Sequence, residues 1–496
     1  MEALATTASG RVSGVAEGGI SAFRGIPYAA PPVGQARFAA PRPPEPWTGV
    51  REAAEYGPTA PHPPYEAGIA EALPERSIPG DEYLNLNVWT PGTGERGLPV
   101  MVWIHGGAFT NGSGAEPGYE ASAFARSGAV AVTFNYRLGA EGFALVEGAP
   151  ANRGVLDQIA ALEWVRDNIA AFGGDPDQVT VFGESAGAMS VTTLMAIPRA
   201  RALFRRAIAQ SGAGHNTLRA EDARTVGRVL AGRLDVGPTG AELAEVSPKR
   251  LQEEQTRIIA ELRGSADTGL WGERLPALGT LPFSPAVDGE LLTRRPVDAL
   301  RAGEAADKDL LIGTTTQEYR LFLAAPGLID HIRAEHVAAQ AAGIGLAPDA
   351  VEVYTRRNPT PGDALADLGT DAVFRVPATR VLEARAAAGG SGRTYGYDFA
   401  WRSQRLGGRL GACHALEIPF VFDNLADGRN LAGPQAPQQL ADDMHRAWVR
   451  FASTGDLDWP RWDLRRRPVM RFDAPEPQVV EDPDARTRGL WDGVVD

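Results

Sequence analysis

A short apolar stretch, Val179-Thr-Val-Phe182, runs straight into Gly183-Glu184-Ser185-Ala186-Gly187, and a helix-like segment, Ala188 to Ala196, follows. Few features narrow a fold more. A strand that turns into a helix within a few residues bends so sharply that the central residue is forced into a strained backbone conformation. Its neighbours must be small, which explains a glycine on either side. The side chain at the bend, Ser185, is then presented at the carboxyl end of a sheet, beside the N-terminus of the next helix.

The surrounding text agrees with a sheet of that kind. Val100-Met-Val-Trp-Ile104 and Ala129-Val-Ala-Val-Thr-Phe134 read as buried strands. Leu156, Ile159, Leu162, Val165, Ile169 and Phe172 recur at helical spacing until Gly173-Gly174 stops them. Further strands are predicted at Ala207 to Gln210, Leu310 to Thr314 and Thr394 to Phe399. A last helix carries Leu440, Met444, Trp448 and Phe451 on one face. Alternating strands and helices predict an α/β fold with a mostly parallel twisted sheet covered on both faces. The first ninety residues are rich in Gly and Pro and favour turns and extended pieces. Residues 317–388 are Ala-rich and predict a helical insertion over the sheet. No linker cuts the chain, so 1–496 is expected to be a single domain.

Composition removes several function classes. Of the 496 residues 44% are apolar and 22% charged, as in globular proteins. A net charge of −13 argues against nucleic-acid or anionic-membrane partners. No apolar run is long enough to span a bilayer, and Met1 to Gly19 has neither a basic start nor an apolar core, so no signal peptide is expected. Cys413 is the sole cysteine, which excludes an intrachain disulfide and points to a reducing cytoplasm. Abundant Ala and Gly with only Lys249 and Lys308 among lysines suits a GC-rich bacterial genome.

A second glycine-rich stretch, His105-Gly106-Gly107-Ala108-Phe109, follows a predicted strand. Such a loop lets backbone N–H groups converge on a developing oxyanion. A serine hydroxyl beside it becomes a nucleophile once a base takes its proton. In hydrolases built on this elbow the chain order is serine, acid, histidine. His215, His331, His336, His414 and His445 all satisfy it; His414, in a loop after a strand, is favoured by position. Glu318 runs off a strand end, with Asp288 and Glu304 as rivals on order alone. His105 reads as a structural residue rather than the base.

Taken together the motifs resemble the type-B carboxylesterase/lipase family of α/β-hydrolases, from about Phe23 to Trp462. Phe23-Arg-Gly-Ile-Pro-Tyr-Ala-Ala-Pro-Pro-Val-Gly34 with Arg37-Phe38 is similar to its N-terminal signature, and Asp81-Glu-Tyr-Leu-Asn-Leu-Asn-Val88 to its second. Asn135-Tyr-Arg-Leu-Gly139, Asn152 through Gly187, Leu203-Phe204 and Gln210-Ser-Gly212 match as well. The resemblance implies the α/β-hydrolase fold and an esterase of small-molecule esters that needs no cofactor or metal. It implies Ser185 as nucleophile, Glu318 as acid and His414 as base. It implies an oxyanion hole from the N–H groups of Gly107, Ala108 and Ala186, with Ser211 and Glu184 supporting the triad. Leu281, Phe283, Tyr319 and Phe322 are implied to line the substrate pocket. Tyr83 stands where secreted members carry a disulfide cysteine, Ala108 where many have glycine, and Tyr319 where glycine is usual. An amidase, a peptidase or a lipase would use the same triad, and a non-catalytic relative would lack parts of it.

Overall fold

The computed structural model describes residues 2–264, 267–272, 275 and 281–495. The chain forms two compact units: Met1–Pro64, Glu75–Arg206 and Asn216–Pro296 make one, and Tyr65–Pro74, Ala207–His215 and Val297–Asp496 the other.

In the first unit the Gly- and Pro-rich N-terminus is extended, as its composition predicts. Strands β1 (Glu2–Thr7), β2 (Gly10–Glu17) and β3 (Ile20–Pro27) pair antiparallel, and β4 (Val50–Glu52) joins β2 in parallel. Strand β5 (Asn85–Thr90) lies antiparallel to β3. Then come β6 (Leu98–Ile104), β7 (Val130–Phe134) and β8 (Gly174–Glu184), with β6 parallel to both its neighbours. Every residue of β7 is buried, as in a strand covered on both faces. Strand β8 extends well beyond Val179–Phe182. Gly174 and Gly183 pair with β6 although glycine is a poor strand former, because the neighbouring strand supplies their partners.

The helix predicted after β7 spans Arg153–Asn168 and ends through a 3-10 turn at Gly173, whose φ is +86°. Its buried face is not wholly apolar: Leu156 is half-buried, whereas Arg153, Asp157 and Gln158 are buried. Asp157 is held by Arg137 at 2.7 Å, and Arg153 donates to the carbonyls of Glu141 and Ala144. Charges at such depth persist because each is paired or fully hydrogen-bonded.

Along the chain follow β9 (Arg206–Gln210) and a two-residue parallel pair of the first unit, β10 (Leu218–Arg219) and β11 (Ala286–Val287). The second unit contains β12 (Asp309–Thr315), β13 (Thr394–Phe399) and β14 (Pro468–Phe472), all parallel, with β15 (Gln478–Glu481) antiparallel on β14. Strand β9 adjoins β12. Between β12 and β13 run the helices Arg320–Ala324, Ala334–Ile344, Pro348–Arg357, Pro361–Thr370 and Val376–Ala388, the last two joined by a π-helical turn, Asp371–Arg375. The closing helix is Gln438–Thr454; it buries Leu440, Met444, Trp448 and Phe451, and also His445. No helix among the described residues is long and apolar enough to cross a membrane.

Candidate active site

Strand β8 ends at Glu184 and the helix Ala186–Ala196 begins two residues later. Ser185 bridges them with φ +55° and ψ −123°, a conformation that costs a non-glycine residue about 1–3 kcal/mol. Glycine on both sides is a steric necessity. A Cβ on Gly187 would lie 1.9 Å from the Ile104 carbonyl oxygen, and one on Gly183 would lie 2.6 Å from the same atom. Glu184 is buried, while Ser185 is half-exposed.

The glycine-rich loop after β6 packs directly on this bend: a Cβ on Gly106 would lie 3.2 Å from the Ser185 Cβ. Gly107, Ala108 and Phe109 all have positive φ, at +106°, +54° and +61°. Two bonds onto the Gly107 carbonyl hold that run in place, from the N–H groups of Thr110 at 2.9 Å and Asn111 at 2.8 Å. Gly139 N–H donates to the Phe109 carbonyl at 2.7 Å. Among the described residues the N–H groups of Gly107, Ala108 and Ala186 donate to no carbonyl.

His105 lies under this loop as a structural residue. It is fully buried, its Nδ1 meets the Gly106 carbonyl at 2.8 Å, and its ring stacks on Tyr136 at 4.4 Å. Burial pushes its pKa down to about 4, so the ring is neutral at neutral pH.

The second unit holds Glu318 and His414 in contact. Glu318 follows β12 and is completely buried, unlike the solvated glutamate usual after a strand. Its Oε1 accepts the Thr315 N–H at 2.8 Å, and its Oε2 meets His414 Nδ1 at 2.7 Å. The backbone repeats the link, His414 N–H donating to the Glu318 carbonyl at 3.1 Å. The rings of Phe374 and Phe322 lie 4.6 Å and 5.3 Å from the imidazole. A buried carboxylate on Nδ1 favours the tautomer with the proton on that nitrogen and holds the ring's orientation.

Of the other expected residues, Ser211 has φ +53° and donates from Oγ to Glu417 Oε1 at 3.1 Å, three residues beyond His414. Tyr319 packs its ring toward Phe322 at 5.4 Å and rests on Gly369, where a Cβ would come within 2.5 Å of the ring. Phe322 is 37% exposed, Leu281 half-buried and Phe283 fully buried. Asp288, a rival for the acid, accepts from the Asn152 side chain at 2.9 Å. Cys413 is buried, and burial, with Glu318 and Glu417 nearby, pushes its thiol pKa up, which keeps it protonated. Sequence reasoning missed Phe374 and Glu417. The first sits in the π-helical turn, which has no sequence signature; the second stands in plain view in His414-Ala-Leu-Glu-Ile-Pro419.

The chain matches the carboxylesterase family over residues 2–483. It is 37% identical over 501 residues to the para-nitrobenzyl esterase of Bacillus subtilis (strain 168), covering 98% of this chain and 97% of that protein. The chain belongs to the carboxylesterase family. This carboxylesterase is also 35% identical over 502 residues to the phenmedipham hydrolase of Pseudarthrobacter oxydans, covering 97% and 96%. A solved PNB esterase structure superposes with a TM-score of 0.86 at 35% identity, covering 99% of each chain. The fold is therefore that of the α/β-hydrolases, and the protein is a carboxylic ester hydrolase.

Proposed function

We propose that Ser185, His414 and Glu318 work as one catalytic triad on a small-molecule ester. The observation that carries this reading is the buried 2.7 Å contact between Glu318 Oε2 and His414 Nδ1. Family membership and the strained φ of +55° at Ser185 support it. On this reading both units belong to a single catalytic domain, 1–496, with 317–388 as its helical insertion.

His414 Nε2 takes the proton of the Ser185 hydroxyl as Oγ attacks the ester carbonyl. The resulting oxyanion accepts hydrogen bonds from the N–H groups of Gly107, Ala108 and Ala186, each worth about 3 kcal/mol to the barrier. The imidazolium returns the proton to the leaving alcohol. Water then repeats the sequence on the acyl-enzyme and releases the carboxylate. Glu318 orients the ring and stabilises its charged form without itself taking the proton. Ser211, through Glu417, and Glu184, beside the nucleophile, are positioning residues. Tyr319, Phe322, Leu281 and Phe283 form the pocket for the ester's apolar parts. The enzyme works in the cytoplasm, in keeping with its single buried cysteine.

The test is hydrolysis of para-nitrophenyl esters of rising chain length by the wild type and by Ser185→Ala. Loss of turnover in the variant, with an organophosphonate labelling Ser185 alone in the wild type, supports the triad. Turnover surviving in Ser185→Ala refutes it. Matched anilides in the same panel separate ester from amide preference.

A further inference from the structure

The second unit contains a concave site lined by none of the residues assigned above to ester hydrolysis. It has a volume of about 490 Å³ and is bounded by Arg357, Arg375, Arg471, Arg486, Asp398 and Asp484. A second hollow of about 330 Å³ shares Arg357 and Arg375 and adds Arg320 and Arg402. The larger volume falls within the ~300–1,000 Å³ of ordinary ligand pockets.

In a chain of net charge −13, four arginines face two aspartates around this cavity, an excess of positive side chains in its lining. Ion pairing consumes only part of it. Arg471 uses Nε and Nη2 on Asp398, at 3.0 and 2.6 Å. Arg357 uses Nε and Nη2 on Asp367. Arg375 is fully engaged: it pairs with Asp371, lies 3.5 Å from Asp484 and 3.8 Å from Asp367, and donates to the Thr316 carbonyl at 2.7 Å. The Nη1 groups of Arg471 and Arg357 have no hydrogen-bond partner among the described residues, and Arg486 pairs with no carboxylate there. Burial raises the pKa of Asp398 and Asp484, against the arginines Arg471 and Arg375 that pair with them.

We propose that this pocket binds a small anion carrying a phosphate group. A guanidinium fork pairs bidentately with phosphate, and spare arms on separate arginines call for a ligand with several oxygens and more than one charge. A lone carboxylate would be satisfied by a single arginine. The pocket also touches catalysis at one point: Thr316, whose carbonyl Arg375 holds, lies two residues before Glu318.

The experiment is calorimetric titration of the full chain with inorganic phosphate and, separately, glycerol 3-phosphate, against sodium chloride at matched ionic strength. Saturable one-to-one binding of either probe is expected, weakened about tenfold in Arg486→Gln. Arg486 is exposed, so that variant folds whether or not Arg471→Gln does. Binding of the free ion alone assigns the site to inorganic phosphate; binding of the ester alone assigns it to a phosphorylated metabolite. No saturable binding of either probe, or equal binding by Arg486→Gln, overturns the proposal. Para-nitrophenyl ester hydrolysis by Arg486→Gln stays at the wild-type rate in phosphate-free buffer, which keeps this test separate from that of the triad.

Discussion

The carbonyl oxygen of Asn111 lies 2.2 Å from where a Cβ on Gly107 would stand. With a φ of +106° at Gly107, that approach admits no side chain. Gly107→Ala is therefore expected to displace the loop and its N–H donors. Turnover of para-nitrophenyl butyrate should fall by about 10²–10³-fold, the usual loss for one oxyanion donor. Circular dichroism should be unchanged. Wild-type turnover in the variant would remove Gly107 from the oxyanion hole.

Asn111 also ties the loop to chain far from it in sequence. Its side-chain amide donates to the Pro63 carbonyl at 2.6 Å and to Glu75 Oε1 at 3.1 Å. Asn111→Ala should cost about 1–2 kcal/mol of stability and lower kcat more than it raises KM. A trifluoromethyl ketone, which mimics the tetrahedral intermediate, should bind more weakly to the variant. Unchanged inhibition would make Asn111 a stability residue only.

Glu318→Gln keeps an acceptor for the Thr315 N–H but removes the charge facing His414. The fold should persist while kcat drops by about 10³–10⁴-fold at neutral pH, as expected when the tautomer is no longer enforced. Asp288→Asn, which alters a carboxylate bound to Asn152, should leave kcat near wild type. The opposite ranking would reassign the acid.

Glu116 carries a pH dependence of its own. Burial pushes its pKa up from 4.5 to about 8, against hydrogen bonds from Ser113 and the Arg76 N–H. The folded protein therefore binds a proton here that the unfolded chain has lost, and stability falls as pH rises from 4.5 to 8. Glu116→Gln removes that slope. Its unfolding free energy relative to wild type should climb between pH 5 and 9, by on the order of 4 kcal/mol at most, and its Tm should rise in step. Parallel Tm profiles would show that Glu116 is ionised in the folded state.

Local constraints were readable and distant ones were not. Ser185 is legible because a strand-to-helix bend restricts its immediate neighbours to small residues, even though the carbonyl that Gly183 and Gly187 must clear, that of Ile104, belongs to a strand far upstream. The Glu318–His414 contact spans 96 residues, so chain order and loop position narrowed the choice without deciding it. The polar face of the Arg153–Asn168 helix was hidden because Asp157 is explained by Arg137, which precedes the helix. Phe374 was invisible for a further reason. An extra residue in the π-helical turn rotates it toward His414, and no hydrophobic period encodes that rotation.

The contact between Gly187 and the Ile104 carbonyl has a bearing on how such an enzyme diversifies. Mutational libraries aimed at new esters would waste their variants at the bend, where no larger residue fits. Phe322, partly open to solvent and beside the imidazole, is where a change of side chain would be tolerated and felt. Selection for a new substrate would then remodel the aromatic surroundings of His414 while the backbone at Ser185 stays frozen.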